Sequence, residues 1–143
     1  MIRFFKVGDE KAVAALEKEC FSKPWSEEAV LESFENGTAF LIFEEKGELL
    51  GYAGLQVVLG EGYITNIAVT ETARGRGIGK SLVTELINFG KSNSLELISL
   101  EVRESNTNAI SLYTKYGFEV VGKRKNFYTL PTEDAIIMTK EFN

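Results

Sequence analysis

The chain has 143 residues, 44% of them hydrophobic, with 16 Lys+Arg against 21 Asp+Glu and a net charge of -5. This size suits one compact unit over residues 1–143 that buries roughly two thirds of its unfolded surface, and the acidic balance argues against broad attraction to nucleic acid or anionic lipid. With 0 His and 1 Cys, every Ser-His-Asp or Cys-His apparatus, His-ligated zinc and Cys-rich zinc cluster is excluded, so no metal site is expected. Cys20 has no partner for an internal disulfide, and residues 1–7 (MIRFFKV) lack a long apolar core. Both point to a soluble, unsecreted protein of a reducing compartment, with the cytoplasm as the default and no membrane span.

In chain order, residues 2–7 predict a short strand, and Asp9 is placed to cap a helix whose Val13, Leu16 and Cys20 follow an apolar spacing and which stops before Pro24. Ser26 precedes Glu27 and Glu28, acidic residues suited to a first helical turn, with Val30, Leu31 and Phe34 available for burial. AFLIFEE, the turn-like KGE, and ELLGYAGLQVVL read as an antiparallel hairpin, followed by a β-rich run over residues 63–69. TETARGRGIG then leads into a helix with Ile78, Leu82, Val83, Leu86 and Ile87 on one side. Residues 95–102 return as a strand. Ile110, Leu112, Tyr113 and Tyr116 give a short helix ending at Gly117, and two strands close the chain. The order predicts an α+β fold on a mixed sheet.

The segment RGRGIGK, residues 74–80, carries Gly75, Gly77 and Gly79, where backbone amides can approach an anion, and three positive charges in an otherwise acidic chain. Cations at a helix N-terminus oppose the macrodipole by roughly 0.3–1 kcal/mol each, so the arrangement suits a bound phosphate better than a bare turn. A P-loop would need Gly at position 74, where Arg74 stands, and a dinucleotide fingerprint would need Gly at 80, where Lys80 stands. What remains is Arg-x-x-Gly-x-Gly. Within the strand over 95–102, Ser99 and Glu101 share the face opposite Ile98, Leu100 and Val102. On spacing alone Glu101 is a solvated carboxylate or a partner of Arg103. Tyr113 and Tyr116 read as ordinary aromatic packing, and Asn106 as a helix N-cap.

Arg74, Gly77 and Gly79, with NIAV at 66–69 before them, LEVRESNTNAISLYTKYGF at 100–118, EDAIIM at 133–138 and KPWS at 23–26, resemble the GNAT superfamily of coenzyme A-dependent N-acetyltransferases. Within it they resemble the group that acetylates ribosomal-protein N-terminal alanine. The resemblance covers essentially the whole chain and implies a GNAT fold, a mostly antiparallel central sheet flanked by helices, with acetyl-CoA as cosubstrate. It implies that the pantetheine arm lies between two splayed strands against the backbone of Ile67, Ala68 and Val69. The pyrophosphate would then be held by Arg74, Gly75, Arg76, Gly77, Ile78, Gly79 and Lys80, and Asn106 would also touch the cofactor.

The resemblance also gives Glu101 the role of general base, which the acceptor requires: an α-amine of pKa near 8 is roughly nine-tenths protonated at pH 7. Tyr113 becomes the acid that protonates the departing thiolate, and a backbone amide near Val69 would suit the oxyanion. Trp25, Phe127 and Tyr128 are assigned to the acceptor groove, with core packing the alternative for each. Lys125, Asn126, Phe127, Tyr128 and Thr129 depart from the Tyr-Tyr-Pro turn common after Arg-Asn in that group. The expected acceptor is the N-terminal tail of a small-subunit ribosomal protein. A lysine, a small amine, or a non-catalytic acyl-CoA sensor are the alternatives.

Overall fold

A computed structural model describes residues 1–142. The elements run β1 (Ile2–Phe4), α1 (Glu10–Cys20), α2 (Glu27–Glu35), β2 (Ala39–Glu45), β3 (Glu48–Val58), β4 (Glu61–Val69), α3 (Ile78–Ser92), β5 (Leu97–Arg103), α4 (Thr107–Lys115), β6 (Glu119–Tyr128) and β7 (Glu133–Glu141), with a 3-10 turn at Glu71–Ala73. The strands form one sheet in the order β1-β2-β3-β4-β5-β7-β6. Every neighbouring pair is antiparallel except β4 with β5, which makes this an α+β fold. The expected hairpin forms, and its connection is the two-residue turn Lys46 and Gly47, with Glu48 already in β3; they take φ of 53° and 78°, the left-handed pair whose twist matches the strands.

Strand alternation distributes the core to both faces of the sheet. Phe40, Ile42, Tyr52 and Ala68 pack with Val13 and Leu16 of α1 and Val30 of α2. Leu41, Ala53, Leu55, Ile98 and Leu100 pack on the other side with Ile78, Leu82, Val83 and Leu86 of α3. Burying each such aliphatic side chain contributes about 1.5–3 kcal/mol.

Several boundaries differ from expectation for local reasons. β1 stops at Phe4, shortly before the turn at residues 7–9; Phe5 still donates its N–H to the Phe40 carbonyl at 3.0 Å and its ring is buried against Phe40. Asp9 stands at the N-cap of α1 but does not cap it: its carboxylate takes both guanidinium nitrogens of Arg3, at 2.8 and 3.0 Å, and the Lys6 amide at 2.9 Å. Ser26, by contrast, caps α2 through Ala29 N–H.

The feature that positions the site is the β4–β5 pair. These strands are in register only over Glu61↔Leu97, Gly62↔Ile98 and Tyr63↔Ser99. Gly54 and Leu55 on β3 face Asn66 and Ile64, leaving Thr65 as an extra residue in β4. A bulge of this kind bends its strand. Beyond it β4 and β5 separate and open a cleft in the sheet.

Candidate active site

The cleft's walls follow from the ladder. Thr70 N–H donates to Leu50 C=O at 2.8 Å, so the antiparallel alternation turns Ala68 toward β3 and directs the peptide groups of Val69 and Ile67 the other way, to where β5 has departed. Ala68 therefore lends its backbone to the sheet, whereas Ile67 and Val69 face the cleft. The Val69 carbonyl already accepts the Arg74 Nε–H at 3.1 Å. An extended, amide-bearing chain fits such an edge because it can take up the unpaired groups.

At one end of the cleft the backbone turns through Gly75 and Gly77, with φ of 83° and 82°, and α3 begins. A side chain at either position would meet open space, so backbone conformation rather than crowding requires glycine. The first bond of α3 runs from Ser81 N–H to Gly77 C=O, which leaves the amides of Ile78, Gly79 and Lys80 without helical acceptors and free for an anion. The basic side chains divide their work. Arg74 turns inward to Val69 and to Cys20 Sγ, and Arg76 pairs with Glu45 at 2.6 Å, while Lys80 is exposed and forms no ion pair among the described residues. Glu19 braces the preceding turn, accepting from Thr70 Oγ1 at 2.9 Å and Glu71 N–H at 2.7 Å. Asn106 caps α4 through Ala109 N–H at 3.2 Å, as its alternative role requires.

Glu101 stands on β5 at the other wall. Its side chain is 7% exposed, and Oε1 accepts the Tyr63 hydroxyl from β4. Arg124 of β6 places Nε 2.7 Å from Oε2, an ion pair whose alignment is not that of a hydrogen bond, so Oε2 has no donor of its own. The expected pairing with Arg103 does not form. Arg103 instead binds Glu133 at 3.2 Å and the Pro131 carbonyl at 3.0 Å, and lies 4.5 Å from the centre of the Tyr128 ring. Burial, then the bond to Glu101, pushes the Tyr63 phenol well above its ordinary range.

Tyr113, on α4, is buried against Phe118 and its hydroxyl makes no hydrogen bond to another group among the described residues. Burial and the neighbouring Tyr128 phenol push it up to about 12. Tyr128 is likewise pushed up to about 12, by burial and then by Glu101. Phe127 and Tyr128 meet edge to face, centroids 5.0 Å apart, at the end of β6, with Phe127 exposed. Trp25 is half-buried on Phe40 and lines a cavity of about 520 Å³ with Ala29, Glu32 and Val57. Neither Glu101 nor Tyr113 lines that cavity; Glu101 stands at the wall of the open cleft, and Tyr113 is packed into the core cluster from α4.

Residues 11–118 match the acetyltransferase (GNAT) family. The chain belongs to the GNAT acetyltransferase family. It is an N-acetyltransferase, and acetyl-CoA is its cosubstrate. The [ribosomal protein bS18]-alanine N-acetyltransferase of Escherichia coli (strain K12) is 36% identical over 91% of this chain and 89% of its own length. A Bacillus subtilis (strain 168) relative, named provisionally for the same activity, is 37% identical over 99% of this chain and 95% of its own length. The crystal structure of the Escherichia coli ribosomal-protein-S18-alanine N-acetyltransferase superposes with a TM-score of 0.92 at 32% identity, covering 99% of this chain and 92% of that one.

Three residues around the candidate site are not singled out by the sequence. Tyr63 and Arg124 hold Glu101 from strands far away in sequence, and Glu17 sits buried behind Trp25. Tyr63 closes the parallel register opposite Ser99, a long-range pairing that no local sequence pattern marks. Nothing in the sequence signals Arg124 as the partner of Glu101.

Proposed function

We propose that the chain, acting as one unit, transfers the acetyl group of acetyl-CoA directly to the α-amine of an N-terminal alanine, that of the small-subunit ribosomal protein named for its relatives, bS18. The observation that carries this reading is a buried carboxylate, Glu101, with one oxygen lacking a donor, at the wall of a cleft whose other wall presents free backbone groups.

The acceptor arrives mostly as an ammonium, and its positive charge replaces the Arg124 guanidinium beside Oε2. Glu101 takes a proton from that nitrogen, which frees the lone pair to form the C–N bond at the thioester carbonyl carbon. The Val69 N–H, directed into the cleft, donates to the carbonyl oxygen as charge develops on it. As the C–S bond breaks, Tyr113 shares its proton with the leaving sulfur. A phenol held near 12 does not give up its proton outright to a sulfur whose thiol has a pKa of about 8.5, so the departing thiol's proton is the second one released by the acylated nitrogen, passed on through the Tyr113 hydroxyl. Ile67 orients the pantetheine amides, the amides of residues 78–80 with Lys80 hold the pyrophosphate, and Gly75 and Gly77 shape the turn. Arg74 and Arg76 act as braces of that loop, Asn106 lies at its α4 rim, and Trp25, Phe127 and Tyr128 border the acceptor. The work is done among cytoplasmic ribosomal proteins.

Mass spectrometry of a mixed library of alanine-starting and lysine-containing hexapeptides, incubated with enzyme and acetyl-CoA and scored by fragment position, tests this. Acetylation at the α-amine of alanine-starting peptides is expected. Modification at lysine alone, or of small amines and no peptide, would replace the acceptor.

A further inference from the structure

Glu17 is the most deeply buried charged residue among those described, at 0% exposure, and the chemistry proposed above does not use it. Its carboxylate gathers donors from three separate elements. Oε1 accepts the Trp25 backbone N–H at 2.9 Å; Oε2 accepts the Asn66 side-chain amide at 2.9 Å and the Tyr52 hydroxyl. Trp25 belongs to the irregular segment between α1 and α2, Asn66 to the bulged stretch of β4 one residue before Ile67, and Tyr52 to β3. The same α1–α2 segment touches the far side of the acceptor region, where Ser22 Oγ donates to the Thr129 carbonyl at 3.3 Å. A buried carboxylate is weak evidence of stabilisation, because its desolvation offsets what its bonds return. Its placement here does something else: it ties the loop that borders the acceptor to the strand that borders the thioester.

We propose that Glu17 is a positioning residue for acceptor binding, fixing the Trp25 segment against the β4 bulge so that the incoming amine meets the cleft in register. This rests on the acetyltransferase reading above. Glu17 touches no reacting atom, and of the two sides it joins Asn66 is already held in register by the β3–β4 ladder whereas the Trp25 segment has no ladder or helix of its own, so the influence of Glu17 falls on the acceptor more than on acetyl-CoA.

The test is Glu17→Gln. A glutamine offers one oxygen where the carboxylate offers two, and the side with two donors, Asn66 and Tyr52, retains it. The NH₂ then faces the Trp25 N–H, a backbone donor that cannot turn away. Trp25 is the chain's 1 Trp, so acrylamide quenching of its fluorescence reports this segment directly. Quenching is expected to rise about twofold and the KM for an alanine-starting hexapeptide about tenfold, with the acetyl-CoA Kd held within about twofold. A second variant, Glu17→Met with Tyr52→Phe and Asn66→Leu, replaces the polar cluster with apolar groups of similar shape. It is expected to recover most of the thermal midpoint lost in Glu17→Gln, since only the Trp25 N–H is left without a partner, without recovering either the hexapeptide KM or the Trp25 protection.

Unchanged quenching in Glu17→Gln overturns the proposal, as does increased quenching with an unchanged hexapeptide KM. Recovery of KM in the triple variant also overturns it, by showing that stability alone was at stake. Should the wild-type chain leave the hexapeptide unmodified, the acceptor reading fails by itself, and the Trp25 quenching still decides whether Glu17 holds the segment.

Discussion

The two ends of the cleft are built from different materials. In the proposed reading, the groups that recognise acetyl-CoA at the coenzyme end are peptide amides: those of Ile67 and Val69 released by the departure of β5, and those of the first turn of α3. At the acceptor end they are side chains, Glu101, Tyr63, Arg124 and Tyr128, carried by β4, β5 and β6. A cosubstrate with fixed chemistry can be held by backbone geometry, which most side-chain substitutions leave intact. An acceptor that differs from enzyme to enzyme is met by groups that can change singly. The comparison yields a rule for variants: changes at the coenzyme end move acetyl-CoA affinity, and changes at the acceptor end move turnover or acceptor KM.

The largest effect is expected from Glu101→Gln, which removes the proton acceptor and should lower kcat about 10²- to 10⁴-fold in a steady-state acetyl-transfer assay. Tyr113→Phe should lower kcat about 10²-fold, and an acetyl thioester of a more acidic thiol, whose sulfur leaves with less assistance, should recover most of that loss. Gly77→Ala sharpens the other half of the comparison. Forcing a Cβ into φ of 82° costs roughly 1–2 kcal/mol and disturbs the amides at the start of α3, so acetyl-CoA Kd should rise about tenfold with kcat at saturation nearly unchanged. Calorimetric titration reads the first and initial rates the second.

Smaller effects are expected at the exposed cation. Arg124→Ala removes the guanidinium that the acceptor must displace, and the KM for an alanine-starting peptide should fall about threefold, the scale of a solvent-facing ion pair. The smallest is a pH effect. Tyr113 and Tyr128 keep their protons in the fold up to about 12, whereas an unfolded chain releases them near 10. Their contribution to stability is present below about pH 10 and lost as pH rises through about 12. The thermal midpoint should fall across that window, less steeply in Tyr113→Phe.

The same division explains what could be read in advance. Gly75 and Gly77 announce the turn before α3 because positive φ leaves a mark on residue type. The alternation around Ile98, Leu100 and Val102 shows that Glu101 faces away from the core. The element order is legible for a similar reason, since each helix face and hairpin turn is encoded within a dozen residues. The partners of Glu101 are another matter. Tyr63 is 38 residues away, and Arg124 reaches it only because β7 inserts between β5 and β6. Asp9 misleads in the opposite sense: its position matches a cap, yet Arg3, brought beside it by β1, binds it more strongly than the helix amides do. Local signals fail where a charged group has a better partner from elsewhere in the fold.

The division of the cleft is tested most directly by calorimetric titration of acetyl-CoA into Glu101→Gln, with turnover measured on the same preparation. The expected result is a Kd within about twofold of the wild-type value beside a kcat lowered at least about 100-fold. A Kd weakened about tenfold, or a kcat close to that of the wild type, would contradict the separation of a backbone-built coenzyme site from a side-chain-built catalytic one.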